Sequence, residues 1–131
     1  MRYMLDTNVC IDLMRGKADS AFKRMRKFDF EEAGISSITL AELHFGASKS
    51  NRPVHHESLI IAFCAPLEIA SFDSAAAEIY GSIRAQLETA GKSIGPLDTL
   101  IAAHAVSLGA TVITGNLREF NRVPGLSVEC W

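Results

Sequence analysis

Net charge is what this chain has least of. The formal balance is −2 over 131 residues, which argues against a protein that holds nucleic acid by bulk basicity and leaves only local basic patches for such a role. Cysteine is also scarce. Cys10, Cys64 and Cys130 are odd in number and lack metal-site spacing; they read as reduced thiols, with Cys10 and Cys64 in the core. No apolar run is long enough to span a bilayer. The amino-terminal stretch is a strand with an internal acid, which is not a signal-peptide pattern. A cytoplasmic protein without membrane contact is expected. There is no internal repeat, low-complexity segment or linker. At 48% hydrophobic and 21% charged, the composition is that of a globular core. The length makes residues 1–131 a single domain.

The chain is organised around its first eight residues. Tyr3, Met4 and Leu5 form a continuous apolar run, as expected of a strand covered on both faces. Asp6, Thr7 and Asn8 stop it, and a short helix follows from Val9 to Met14. The plain reading of Asp6 is an N-cap or turn aspartate. The alternative is a ligand-binding carboxylate, because ligands of parallel sheets bind outside the strands' carboxyl ends.

The rest of the chain repeats that alternation. Ala18 to Phe28 reads as a helix with Phe22, Met25 and Phe28 inward; its run Lys23 to Lys27 is either a solvated face or a patch facing RNA or a partner. A strand over Ala33–Ser37 leads into a helix from Thr39 to about Ser50. Thr39 and Glu42 fit a capping box there, which is the bland explanation of Glu42. The sharper one places Glu42 one turn into a helix at a strand's carboxyl end, beside Asp6. A helix over His55–Phe63 and a strand over Leu67–Ala70 follow. Asp73 caps a helix over Ser74–Ala90 that Gly91 closes. Pro96 opens the next helix with Asp98 at its third position, and Leu97, Ile101, Ala105 and Leu108 line one side. Asp98 suits the helix dipole at that position. Strands over Ala110–Thr114 and Leu126–Cys130 flank a turn carrying Asn116 and Glu119.

Strands that alternate with helices predict a parallel sheet with right-handed crossovers and helices on both faces. Asp6, Glu42, Asp98 and the pair Asn116/Glu119 then fall on one edge. Carboxylates gathered in one crevice repel each other and rise in pKa unless a cation joins them. Oxygen donors without His or Cys suit Mg²⁺ or Mn²⁺, ions that activate water and stabilise phosphoryl charge.

Four motifs give the chain a likeness. Met4-Leu-Asp-Thr-Asn8, Ser37-Ile-Thr-Leu-Ala-Glu-Leu43, Gly95-Pro-Leu-Asp98 with Ile101-Ala-Ala-His104, and Arg118-Glu-Phe-Asn-Arg122 before Pro124-Gly125 resemble a PIN-domain ribonuclease, of the kind found as VapC toxins in type II toxin–antitoxin pairs. The resemblance covers essentially the whole chain. It implies a PIN-like three-layer α/β/α sandwich with a central, mainly parallel sheet of four to five strands. It implies Mg²⁺-dependent endonuclease cleavage of RNA, with Mn²⁺ able to substitute, tRNA as the expected target and translation as the process inhibited. By motif, Asp6, Glu42 and Asp98 match the catalytic and metal-holding acids. The fourth acidic position of many PIN domains falls near Asn116, an amide here, and Glu119 can supply part of that charge. Thr7 and Thr114 match supporting hydroxyl positions, and Arg118 is a candidate phosphate contact or a partner of Glu119. A VapB-type antitoxin, toxin homodimers and operator DNA bound through the antitoxin are implied as partners.

Two rival readings stay open: a catalytically silent module of the same fold that binds its antitoxin, and a receiver-type phosphoacceptor domain. The chain lacks the adjacent acidic pair after the first strand and the lysine after the last that a receiver needs. His44 reads as a packed or surface histidine, His104 as structural, His55 and His56 as a solvated turn, and Trp131 as a packing or interface residue.

Overall fold

The computed structural model describes residues 1–17, 23 and 32–131. The expected helix over Ala18–Phe28 and its basic run lie outside the described residues, Lys23 excepted. Five strands are described: β1 (Tyr3–Leu5), β2 (Ala33–Ser36), β3 (Glu68–Ala70), β4 (Thr111–Ile113) and β5 (Ser127–Glu129). Among the described residues six helices with given bounds accompany them: α1 (Thr7–Met14), α2 (Ser37–Lys49), α3 (Pro53–Cys64), α4 (Ser74–Thr89), α5 (Pro96–Leu108) and α6 (Leu117–Phe120).

All five strands run parallel in the order β3-β2-β1-β4-β5. The chain builds outward from β1 to β2 and β3, then returns to lay β4 on the other side of β1. The strand order therefore reverses between β1 and β4, where an open parallel sheet leaves a crevice at its carboxyl edge. A receiver-type sheet is ordered 2-1-3-4-5, so this topology is not that fold.

Side chains alternate across the pleat and build a core on each face. Tyr3, Leu5, Ile35 and Ile113 meet Cys10 and Leu13 of α1, Leu43 and Ala47 of α2, and Ile60 and Cys64 of α3. Met4 and Val112 face the other way, onto Ile83 and Leu87 of α4 and Ile101 to Ala105 of α5. Each large side chain buried this way contributes about 1.5–3 kcal/mol. The expected three-layer sandwich is present, with a fully parallel sheet. Gly34 serves the crowded junction of β2 and β3: a Cβ there would overlap Met1 Cε and sit 2.5 Å from the Glu68 carbonyl oxygen.

Three local expectations change. The helix expected from Thr39 begins at Ser37. Ser36 is its N-cap, with its hydroxyl accepting from Ile38 N at 3.0 Å. Thr39 is a buried first-turn residue, so Thr39 and Glu42 form no capping box. On α5, Leu97 and Leu108 are exposed, while Thr99 and Ile101 to Ala105 are buried. Lying between the sheet and α4, the middle of this helix is covered nearly all round, and a single apolar stripe does not describe it. His55 and His56 lie in the first turn of α3, which Pro53 opens. Among the described residues, no helix is long and apolar enough to cross a membrane.

Candidate active site

Asp6 follows β1 and occupies the crevice where the strand order reverses. The cap reading of it holds. One oxygen caps α1, Oδ1 accepting from Val9 N at 2.9 Å. The other reaches across the sheet, Oδ2 accepting from the Thr114 hydroxyl at 2.5 Å. Thr114 in turn accepts from Asn116 N at 2.9 Å, so one hydroxyl ties the end of β1 to the turn after β4. Burial raises the Asp6 pKa; its two hydrogen bonds oppose that, and the nearby Asp12 adds to it.

Glu42 projects from the second turn of α2. Its Oε1 accepts from the Thr7 hydroxyl at 2.8 Å, and Thr7 Oγ1 also lies 3.3 Å from Thr39 Oγ1. A threonine just past β1 therefore orients the acid of α2. The geometry joins Asp6 and Glu42 through adjacent residues of one short turn.

Asp98 is the third residue of α5, after the N-cap Gly95 and Pro96. Its pKa is pushed up to about 6, first by burial and then by the charges of Asp6, Glu119 and Glu42. Three acids, from the end of β1, the second turn of α2 and α6, thus bear on Asp98 at the start of α5. Asn116 precedes α6 without making a side-chain cap. Arg118 is exposed on α6, and its neighbour Glu119 is half-buried.

Three contributors are not visible in the spacing. Ser36 caps α2, Thr39 sits beside Thr7, and Asp12 adds charge near Asp6; an acid six residues beyond Asp6 was the one available hint for the last. His104 is structural, as expected: buried, with Nδ1 2.8 Å from Ser36 Oγ and its ring edge-on to Phe72. His44 is a surface residue paired with Glu57 at 2.9 Å.

The donor set is all oxygen and carries mutual repulsion that a divalent cation would relieve. Among the described residues, no three His, Cys, Asp or Glu side chains are arranged to ligate one ion directly. Mg²⁺ fits that arrangement, because it keeps several waters and takes only one or two carboxylates. Asp6 and Asp98 would hold it, with Glu42 acting through water.

A sequence profile for the PIN domain matches residues 3–126. The tRNA(fMet)-specific endonuclease VapC of Salmonella typhimurium is 42% identical over 131 residues, covering 100% of this chain and 98% of that protein. Two solved structures superpose over 100% of the chain. DNA-bound VapBC from Salmonella typhimurium has a TM-score of 0.95 at 42% identity and is covered to 98%. VapBC2 from Rickettsia felis, bound to a DNA fragment from their promoter, has a TM-score of 0.94 at 39% identity and is covered to 99%. With the profile spanning most of the chain and full-length relatives at these identities, the chain belongs to the PIN-domain family, in its VapC ribonuclease branch.

Proposed function

We propose that this chain, acting as one domain over residues 1–131, is the toxin of a type II toxin–antitoxin pair. It is a Mg²⁺-dependent endoribonuclease that cleaves RNA, with tRNA the expected target, and so inhibits translation. The observation that carries this reading is the gathering of acids where the strand order reverses, with Thr114 holding Asp6 at 2.5 Å and Thr7 holding Glu42 at 2.8 Å; the Asp98 pKa, raised to about 6 by burial and by Asp6, Glu119 and Glu42, agrees with it. Acids that destabilise one another at a strand switch point are a marker of a site built for a cation and a reaction.

The chain's own residues have separate tasks. Asp6 and Asp98 bind the ion, with Mn²⁺ able to replace Mg²⁺. Thr114 fixes Asp6, and Thr7 fixes Glu42. Glu42 is placed to accept a proton from a water approaching the phosphodiester. Asn116 and Glu119 complete the polar wall, and Arg118 is available to a phosphate. A bound Mg²⁺ supplies Lewis-acid charge for the phosphoryl oxygens and lowers the pKa of water. The reaction is in-line attack of water on phosphorus with departure of the 3′ oxygen.

The partners follow the relatives. Structures named as VapBC complexes, two of them with DNA, support a VapB-type antitoxin and assembly on DNA; the proposal adds a toxin homodimer, an antitoxin that masks the acids, and operator DNA held through the antitoxin. The setting is the cytoplasm.

The test is cleavage of small RNA by the purified, antitoxin-free chain with Mg²⁺, with EDTA, and beside Asp98→Asn. Discrete fragments that require both the metal and Asp98 are expected. A well-folded chain that leaves RNA intact across Mg²⁺ and Mn²⁺ would sink the enzymatic reading and leave a silent binding module.

A further inference from the structure

On the β4 side of Asp6 lies a cleft of about 460 Å³, bounded by Asn8 and Asp12 of α1, Asn116 of the turn after β4, and Cys130 and Trp131 beyond β5. The backbone sets this neighbourhood. Thr114 N donates to the Glu129 carbonyl at 3.0 Å, so the chain leaving β5 runs beside the turn that carries Asn116. Trp131 is the single tryptophan. Its ring meets Tyr3 edge-on, with centroids 5.0 Å apart at 67°, and this contact with a buried core residue holds the indole at the cleft wall. The volume is that of a small-ligand site.

The lining restricts what can enter. Among the described residues it includes two carboxylates, Asp6 and Asp12, two carboxamides, Asn8 and Asn116, and no Lys or Arg. Away from a cation held on Asp6, a phosphate is repelled there. A flat, neutral group bearing both donors and acceptors suits it: the Trp131 indole forms part of the wall, and the amides offer both kinds of hydrogen-bonding atom. Nucleobases have that chemistry, and unstacked RNA bases stack on aromatic side chains while their edges are read by hydrogen bonds. The separate groove that reaches Glu42 is largely apolar, with Arg15 on its wall.

We propose that this cleft receives the nucleobase flanking the scissile phosphodiester, with Trp131 as its stacking platform and Asn8 and Asn116 as the readers of its edge. The proposal rests on the ribonuclease reading above.

Because Trp131 is the single tryptophan, its emission reports the cleft directly. Short single-stranded oligoribonucleotides of each base are titrated into the full Asp98→Asn chain with Mg²⁺, while the anisotropy of a labelled oligonucleotide records binding independently. Quenching that tracks binding and is strongest for one base is expected. In the otherwise native chain, Trp131→Ala raises KM about 5- to 150-fold, the range of one lost stack. It flattens the base preference next to the cut and leaves kcat largely intact, and Trp131→Phe recovers most of the loss. Melting curves of both variants separate weakened binding from unfolding. Binding with unchanged Trp131 emission overturns the proposal, as does a Trp131→Ala chain that keeps both KM and base preference. Quenching by an arginine-rich peptide but not by RNA assigns the cleft to a protein partner and overturns it too. A parent chain that neither binds nor cuts RNA removes the ribonuclease reading itself, an outcome distinct from these.

Discussion

The Thr114 hydroxyl donates to Asp6 Oδ2 at 2.5 Å, joining residues 108 positions apart. This bond closes the crevice between β1 and β4 and fixes the direction of the carboxylate's second oxygen. Replacing Thr114 by Val keeps the shape and removes the donor to a buried charge. Stability should fall by about 1–3 kcal/mol, the usual consequence of leaving such a group unsatisfied. Metal affinity should fall about 10- to 100-fold, as for other residues that orient a metal ligand. Melting curves and a Mg²⁺ titration of activity check the two effects separately.

Glu42 and Ser36 can be separated by substitution. Since Ser36 caps α2 and Glu42 does not, Ser36→Ala should cost about 0.5–2 kcal/mol. Glu42→Gln should leave the melting temperature nearly unchanged, because the amide oxygen still accepts from Thr7. Its RNA cleavage should nevertheless drop by roughly 100-fold, with the loss of a charged group aimed at the reaction. An equal loss of stability in both variants would return Glu42 to a purely structural role.

Asp98 makes the fold pH-sensitive in a definite direction. Its folded pKa, near 6, lies above its ordinary 3.8, so the folded chain binds the proton more tightly. The acid therefore subtracts stability increasingly as pH rises from about 4 through 6. His104 acts oppositely: its pKa is lowered by burial, so stability is regained as pH rises towards its ordinary value. Comparing the native chain with Asp98→Asn in EDTA cancels that contribution. The variant's advantage in melting temperature should widen from pH 4 to pH 7, and Mg²⁺ should erase it by stabilising the native chain alone. A constant difference across that range would contradict the coupling.

Gly34→Ala tests the junction of β2 and β3. The new Cβ meets a backbone carbonyl that cannot turn aside. A destabilisation of about 1–3 kcal/mol, the cost of overpacking, is expected in urea unfolding, with cleavage per folded molecule unaffected.

Much of this architecture is local and was legible. The apolar run Tyr3–Leu5, the caps Asp6 and Asp73, and Pro96 before Asp98 each act within a few residues, so spacing alone locates five strands and puts Asp6 at the end of the first; Asp98, expected at a strand's end, instead follows α4 and a loop. The misread places are those where a distant neighbour outweighs the local pattern. Leu97 and Leu108 sit at helical spacing, yet α4 and the sheet enclose the middle of α5 and leave both ends exposed. Thr39 and Glu42 have capping-box spacing, but Ser36 lies at the true end of β2 and takes the cap.

The residues by themselves determined the alternation of strand and helix, the presence of Asp6, Glu42 and Asp98 at element junctions, and the amide at Asn116. Only the tertiary structure decided that β4 returns beside β1, that Thr114 and Thr7 orient the acids, that burial and converging charges push the Asp98 pKa up to about 6, and that Trp131 walls a cleft next to Asp6. Backbone propensities and caps act over one turn of chain. Hydrogen bonds between strand ends, burial and the repulsion of converging charges depend on sheet order and register, which arise only when the whole chain has folded.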